Sequence, residues 1–225
     1  MRRIGLLAGM LLCATTAYAE TISLEYKGFY ERLKQVNKGS FQLVELAFSV
    51  PMLANCKIEK GSISNELSSL PLTIGDNQRL FIPLDDGLKE QRTSINLDFA
   101  GSAQGCGIAM QVRAKQPSQR YDKARLTQLV TEMDSMLAKL QGFPMRYFSA
   151  PIAGLHFKFG QTTVLATQNT AVNNGVPPQQ PQATVTIDGK SQVINDNFNL
   201  SLEALHTLST LEFSEPPQIV SPWVK

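Results

Sequence analysis

The sequence predicts a mainly β, α+β fold: antiparallel, sandwich-like sheets with a short N-terminal helix and one longer central helix. Short apolar runs bounded by Gly, Asn and Asp recur along the chain, which is typical of antiparallel sheets. Only two segments carry apolar residues at helical spacing. Of the 225 residues, 43% are hydrophobic and 18% charged, so the chain has enough apolar material for a packed core.

Residues 1–19 are predicted to be a signal peptide that is cleaved after Ala19. A basic start, Met1 to Arg3, precedes an apolar run from Ile4 to Ala14, and Ala17-Tyr18-Ala19 has the small residues of a signal-peptidase site. The apolar run is shorter than the roughly 20 residues that a membrane-spanning helix needs. The sequence therefore predicts a protein of the periplasm, or a secreted one.

The predicted mature chain carries no net charge. The full chain has 21 Lys and Arg against 19 Asp and Glu, and Arg2 and Arg3 leave with the leader. A neutral molecule has no overall field to hold phosphates, so no nucleic-acid partner is expected. No segment after the leader is long enough for a transmembrane helix.

Two cysteines remain after cleavage, and Cys56 and Cys106 are predicted to form a disulfide because the compartment is oxidising. They are not in a C-x-x-C arrangement, so a structural bridge is favoured over a reactive thiol. Each precedes a strand-like run, and the bridge is expected to join two neighbouring strands. Residues 20–115 are the predicted first lobe, β-rich and stapled by this bond.

The first lobe begins with apolar residues at helical spacing from Leu24 to Asn37, which predict the N-terminal helix. A strand is predicted from Phe41 to Val50, and Pro51 ends its pattern. Asp85-Asp86-Gly87 is predicted to be a turn, because Asp and Gly favour turn conformations. Further short strands are predicted around Ile58, Leu70 to Ile74, Leu80 to Leu84, Ile95 to Phe99 and Ile108 to Val112.

The region 116–142 is predicted to be a connecting amphipathic helix. Its helical pattern starts at about Ser118, carries an apolar stripe from Leu126 to Leu140, and ends at Gly142. At this spacing the stripe is expected to pack on the protein's own sheet.

The second β-rich lobe is predicted over residues 143–225. It contains a loop rich in Asn, Gln and Pro at 167–182, which lacks the apolar residues of a core. A hairpin follows, with Asp188-Gly189 in a type I′ turn because both residues tolerate positive φ. The two lobes match faintly, for example Leu97-Asp98-Phe99 against Leu211-Glu212-Phe213. Strand periodicity alone generates such matches, so internal duplication stays an open alternative.

The sequence carries no nucleophile elbow, zinc-protease motif, phosphate loop or dinucleotide fingerprint. No catalytic residue, metal site or cofactor is therefore predicted. The two histidines, His156 and His206, are 50 residues apart, and a metal site would need further ligands from scattered carboxylates.

Four stretches of sequence resemble an uncharacterised family, a domain of unknown function in secreted proteins of Gram-negative bacteria. They are YKGFYERLKQVNKGSFQ from Tyr26 to Gln42, CKIEKGSIS from Cys56, GCGIAMQV from Gly105, and LFIPLDDGL from Leu80 to Leu88. The resemblance implies an envelope location, and it brings no activity, cofactor or site residue.

These observations predict a non-catalytic periplasmic binding protein or envelope accessory protein, whose partner is an envelope protein, a lipid or a glycan. The loop at 167–182 and the tail around Trp223 are the candidate surfaces. One alternative is an envelope hydrolase with His156 or His206 as base, which requires a cleft where a histidine meets a carboxylate or hydroxyl. Another is a soluble lipid or glycan carrier, which requires an apolar cavity on the order of several hundred Å³.

Overall fold

The computed structural model describes residues 20–142, 144–145, 150–160 and 183–224. The predicted signal peptide at 1–19 and the predicted loop at 167–182 lie outside the described residues. Within these ranges the protein is mainly β, with four antiparallel sheets and four α-helices, so the predicted fold class is confirmed.

Over its described residues, from Glu20 onwards, the first half of the chain forms eight strands and two helices. In chain order they are β1 (Glu20–Glu25), α1 (Tyr26–Asn37), β2 (Val44–Ser49), β3 (Ile58–Ser64), β4 (Ser69–Pro71), β5 (Thr73–Gly75), β6 (Arg79–Phe81), α2 (Asp86–Glu90), β7 (Ser94–Phe99) and β8 (Ala109–Ala114). A short 3₁₀ turn, Asp76–Gln78, joins β5 to β6.

The second half forms seven strands and two helices within the described residues. They are β9 (Arg120–Asp122), α3 (Lys123–Gln141), β10 (Gly154–Lys158), β11 (Ala183–Ile187), β12 (Lys190–Ile194), β13 (Asn197–Ser201), α4 (Leu202–Thr207), β14 (Thr210–Phe213) and β15 (Ile219–Trp223).

The two halves repeat one topology. The sheets of the first half have the strand orders β1-β7-β3-β4 and β5-β6-β2-β8, and those of the second have β9-β14-β11-β12 and β13-β10-β15. The single strand β13 stands where the first half has the β5–β6 hairpin. The last strands of the two halves, β8 and β15, lie beside each other, so the halves meet along them.

Strand register fixes how the halves correspond. Ser94 lies opposite Glu25, the residue before α1, and Thr210 lies opposite Asp122, the residue before α3. Leu211 therefore corresponds to Ile95, and the sequence match of Leu97 with Leu211 is two residues out of register. Because side chains in a strand alternate with a period of two, apolar residues match at any even shift.

One apolar core runs through both halves. On β7, Ile95, Leu97 and Phe99 are buried while the residues between them are partly exposed, as the alternation predicts. The apolar stripe of α3 packs against α1 and against β2, β8 and β15, which confirms its expected role. The helix begins at Lys123 rather than near Ser118, because the Asp122 side chain accepts a hydrogen bond from the Arg125 N–H at 2.7 Å and caps it.

The predicted disulfide between Cys56 and Cys106 is confirmed, but it does not join neighbouring strands. Cys56 lies where the chain passes from β2 to β3, and Cys106 lies where it passes from β7 to β8. Since β2 and β8 share one sheet and β3 and β7 share the other, both cysteines lie in crossovers between the same two sheets. The bond therefore ties these two crossovers to each other.

Asp85-Asp86-Gly87 forms the start of α2 instead of a turn. The Asp85 side chain accepts a hydrogen bond from the Leu88 N–H at 3.0 Å and caps the helix. Asp86 accepts a hydrogen bond from the Tyr30 hydroxyl, which lowers the pKa of this carboxyl and joins α2 to α1. Asp is favoured both in turns and at helix starts, so the two are hard to tell apart in sequence.

The predicted type I′ hairpin is confirmed. Asp188 has a φ of 48° and Gly189 a φ of 82° between β11 and β12. The Asp188 carboxylate accepts hydrogen bonds from the backbone N–H groups of Thr210 at 2.8 Å and Ser209 at 2.9 Å. These bonds lower the pKa of Asp188.

Removing the disulfide is expected to destabilise the protein. For a closed loop of about 50 residues, the variant Cys56→Ser/Cys106→Ser should lose up to about 4 kcal/mol of unfolding free energy. Urea denaturation without reductant measures this, and the wild-type protein under reducing conditions should match the variant. Equal stability of the oxidised wild type and the variant would contradict a structural role.

The contribution of Asp188 to stability should depend on pH. Because its folded pKa lies below the value of about 3.9 in an unfolded chain, the contribution is present above that pH and is lost as pH falls through the folded pKa. Asp188→Asn should therefore lower the Tm at pH 7 and have progressively less effect below about pH 4. Asp134→Asn, at an exposed position of α3, is the control. A Tm difference that does not change with pH would rule out the charge as its cause.

Candidate functional site

An open groove of about 430 Å³ lies where the two halves meet, and we call it the seam groove. The first half contributes Ser49 to Met52, Asn77, and Ala109 to Gln111. The second half contributes His156, Lys158, Gln218 and Ile219. The groove is thus built by segments that are far apart in sequence.

Strand pairing accounts for this lining. Lys158 lies opposite Ile219 in the β10–β15 pair, and Ser49 lies opposite Ala109 in the β2–β8 pair. Residues directly opposite each other in an antiparallel pair share one face of the sheet. On β10, Leu155 and Phe157 are buried in the core, so Lys158 and His156 point to the other face, where the groove runs.

The Gln78 side chain holds the loop at the first-half wall of the groove. Its Oε1 accepts a hydrogen bond from the Ile58 N–H at 2.6 Å, and its Nε2 donates to the carbonyl oxygens of Cys56 at 2.7 Å and Pro51 at 3.3 Å. The same loop carries Met52 and is tied by the disulfide at Cys56. The wall is therefore fixed at several points along its length.

Asn77 and Gln78 both have left-handed backbone conformations, with φ of 55° and 54°. Such a conformation in a residue other than Gly costs on the order of 1–3 kcal/mol and persists only where the surroundings determine it. Here the hydrogen bonds of the Gln78 side chain hold the backbone in this conformation. The Val50 N–H adds a further bond, to the Gln78 carbonyl at 3.1 Å. They place the Asn77 side chain at the groove.

A polar contact bridges the halves at this point. Asn77 Nδ2 lies 3.5 Å from Gln218 Oε1, and the Gln218 N–H donates to the Lys158 carbonyl at 2.8 Å. The Gln218 side chain lies directly over Gly160, where a Cβ atom would collide with it. Gly160 thus leaves the space that Gln218 occupies at the groove.

The lining combines exposed methionines with uncharged polar groups. Met52 is 71% exposed and Met110 is 45% exposed, although both are large apolar side chains. Gln111, Gln218 and Asn77 supply side-chain amides. Among the described residues that line the groove, Lys158 is the one lysine or arginine, and none is an aspartate or glutamate.

His156 is held by an amide. Its Nδ1 lies 2.6 Å from Asn199 Oδ1 on the neighbouring strand β13, which leaves Nε2 as its other polar atom. His206 lies exposed on α4, where its carbonyl oxygen accepts a hydrogen bond from Lys123 Nζ at 2.6 Å. Among the described residues, no hydrogen bond or ion pair joins either histidine to a carboxylate. The structure does not bring together the two histidines that the sequence singles out.

A charged triad lies on the sheet of the first half, on the same face as Gln111. Arg79 Nη2 is 2.7 Å from Glu45 Oε2, and Arg113 Nε is 3.1 Å from Glu45 Oε1. Burial, and then the nearby Arg79 cation, lower the pKa of Arg113. Two arginines share one glutamate, so the triad adds one positive charge to this face.

A second cleft of about 530 Å³ lies within the first half. Its lining carries both signs of charge, with three basic and two acidic side chains. The residues are Glu25, Lys27, Lys89, Glu90, Arg92, Thr93 and Ser94.

Two further findings concern the whole described part of the chain. Its residues include no group of three or more His, Cys, Asp or Glu that could hold a metal ion. None of its helices is long and apolar enough to span a membrane.

The tail around Trp223, one of the two predicted interaction surfaces, belongs to the body of the protein. It forms β15, which pairs with β10, and the Trp223 carbonyl accepts a hydrogen bond from the Ala153 N–H at 2.6 Å. The sequence did not predict this strand, because a segment with Pro222 in it lacks the usual pattern.

The model of one protein family, described as a protein of unknown function (DUF2987), matches residues 18–159. This agrees with the resemblance found in the sequence. The match covers the first half, α3 and β10, and so includes His156 and Lys158 but not Gln218. No curated protein and no solved structure matches the chain.

Replacing Gln78 is expected to release the groove wall. Gln78→Ala leaves the Ile58 N–H and the Cys56 carbonyl without partners, at a cost of about 1–3 kcal/mol. Amide hydrogen exchange should become faster at Ile58. Gln192→Ala, on the exposed strand β12, is the control and should change neither stability nor exchange. Unchanged exchange at Ile58 in Gln78→Ala would show that other contacts hold the wall.

Proposed function

We propose a function on the basis of the seam groove. The chain belongs to the DUF2987 family of proteins of unknown function, and this membership assigns no activity to it. The protein is a non-catalytic binding protein of the periplasm, an accessory to other envelope components. The seam groove is its binding site. The predicted leader at 1–19 and the Cys56–Cys106 bond support this location, since disulfides persist in oxidising compartments.

The observation that carries the proposal is a groove whose first-half wall is fixed in place and whose lining exposes apolar side chains to water. The first-half wall is held by the bonds of Gln78 and by the disulfide. A site held in place before binding spends less free energy on ordering when a ligand arrives. Met52 and Met110 offer exposed apolar surface beside these polar groups, which is the mixture common to binding sites.

The binding proposal fits His156 better than the hydrolase alternative does. A general base needs an oriented partner and a nucleophile within hydrogen-bond reach. His156 has the neutral amide of Asn199 as its partner, and no hydrogen bond joins it to Ser221, its neighbour across β15. A histidine held in this way serves well as a hydrogen-bonding group for a ligand.

The lipid-carrier alternative is also less favoured by the groove. A carrier must shield an acyl chain from water. The seam groove is open, and Lys158, His156 and three amide side chains line it. A ligand there keeps one side in water, which suits a partially polar ligand.

Affinity capture from the native envelope tests the proposal. The tagged predicted mature chain, from Glu20 onwards, should retain a ligand that Met110→Glu binds about tenfold or more weakly, because the substitution replaces an apolar side chain of the lining with a charge. Val193→Glu is the matched control, because Val193 is a 62% exposed apolar residue on β12, outside the groove lining. Thermal melting confirms that both variants are folded.

Two results would contradict the proposal. Equal capture by Met110→Glu and the wild type would place the ligand elsewhere. Chemical conversion of the captured ligand by the wild type, but not by His156→Ala, would favour the hydrolase instead.

A further inference from the structure

Resting on the proposed function of the seam groove, we infer that its ligand is an extended, acidic segment of another protein. Three features of the lining support this chemistry: its charge, its amide groups and its methionines. Each distinguishes a peptide from the other ligands that such a groove could hold.

The charge of the groove favours an anionic partner. Lys158 is exposed, it has no ion pair within the described part of the chain, and His156 lies two residues away on the same face of β10. No carboxylate contributes to the described lining. The Glu45 triad, on the same face as Gln111, adds one positive charge. Charge complementarity of this kind selects between partners more than it adds affinity.

The amide groups match a peptide backbone. Asn77, Gln111 and Gln218 each offer both a donor and an acceptor, as does each peptide unit of an extended chain. The Asn77–Gln218 contact is long, at 3.5 Å, so a ligand can replace it at little cost. A partner's backbone would therefore find partners on both walls of the groove.

The methionines favour a protein over a sugar or a lipid. Methionine is flexible and polarizable, and it is used at surfaces that accept varied apolar side chains. Met52 and Met110 contribute exposed apolar surface to a lining that also has polar groups, so an alternating acidic and apolar segment contacts both kinds of surface. The described lining contains no aromatic ring to give a sugar a flat apolar surface, and an acyl chain would lie against Lys158 and the amides.

Titration of the ¹⁵N-labelled predicted mature chain with defined probes tests the inference. The first probe is a five-residue peptide that alternates aspartate with leucine, capped at both ends, and the second replaces each aspartate with lysine. The acidic peptide should shift the amide signals of Gln111 and His156 to saturation, and the basic peptide should not. Dodecanoate micelles and a neutral disaccharide are the probes for the lipid and the sugar.

A charge reversal sharpens the test. Lys158→Glu should weaken binding of the acidic peptide by about threefold or more, as expected for loss and reversal of an exposed charge, and should strengthen binding of the basic peptide. Lys190→Glu, on the exposed strand β12, is the matched control and should leave both affinities unchanged. Lys158→Gln, which keeps a polar side chain, should give an intermediate affinity and guards against misfolding of the reversed variant.

The outcomes separate this inference from the proposed function. Equal binding of the two peptides, no effect of Lys158→Glu, or groove signals that respond only to the micelles or the disaccharide would overturn the acidic segment while a binding groove remains. Signals that fail to respond to every probe and to an envelope extract would overturn both.

Discussion

The bond between Cys56 and Cys106 joins two of the crossovers between the sheets of the first half, the one from β2 to β3 and the one from β7 to β8. Because both crossovers are held, the loop after β2 and the segment before β8 keep a fixed separation. Gln78 adds a second anchor to the same loop, through bonds to Pro51, Cys56 and Ile58. The wall of the seam groove that carries Met52 depends on this pair of constraints.

The second half has the same topology but is stabilised by different interactions. It has no disulfide among its described residues, and its two sheets meet instead through aromatic rings. Tyr121 on β9 contacts Phe157 on β10 with ring centres 5.7 Å apart, and Phe157 contacts Phe213 on β14 at 5.0 Å. Aromatic pairs of this kind add to the apolar area they bury. The same strand order thus occurs with a disulfide in the first half and with packed aromatic side chains in the second.

Much of the fold follows from local pattern, and the site does not. The alternation of β7, the Asp188-Gly189 turn and the disulfide are readable because each depends on neighbours in sequence or on a single pair of residues. Short strands such as β9 and β15 form because they pair with neighbouring strands, so the local sequence does not predict them. The sequence singled out His156 but missed Lys158, Met52 and Met110, because only the contact between β8 and β15 brings them together.

The two halves differ in how the charged side chains on their outward faces are paired, and this difference bears on the binding proposed for the seam groove. On the outward face of the first half, Glu45 lies opposite Arg113 and also binds Arg79. Most of the charge on this face is therefore paired within the protein. On the outward face of the second half, His156 lies opposite Ser221, and Lys158 lies opposite Ile219. Neither of these pairs neutralises a charge. On the described seam face of the second half, the positive charge of Lys158 therefore stays unpaired, and the acidic partner proposed above would neutralise it.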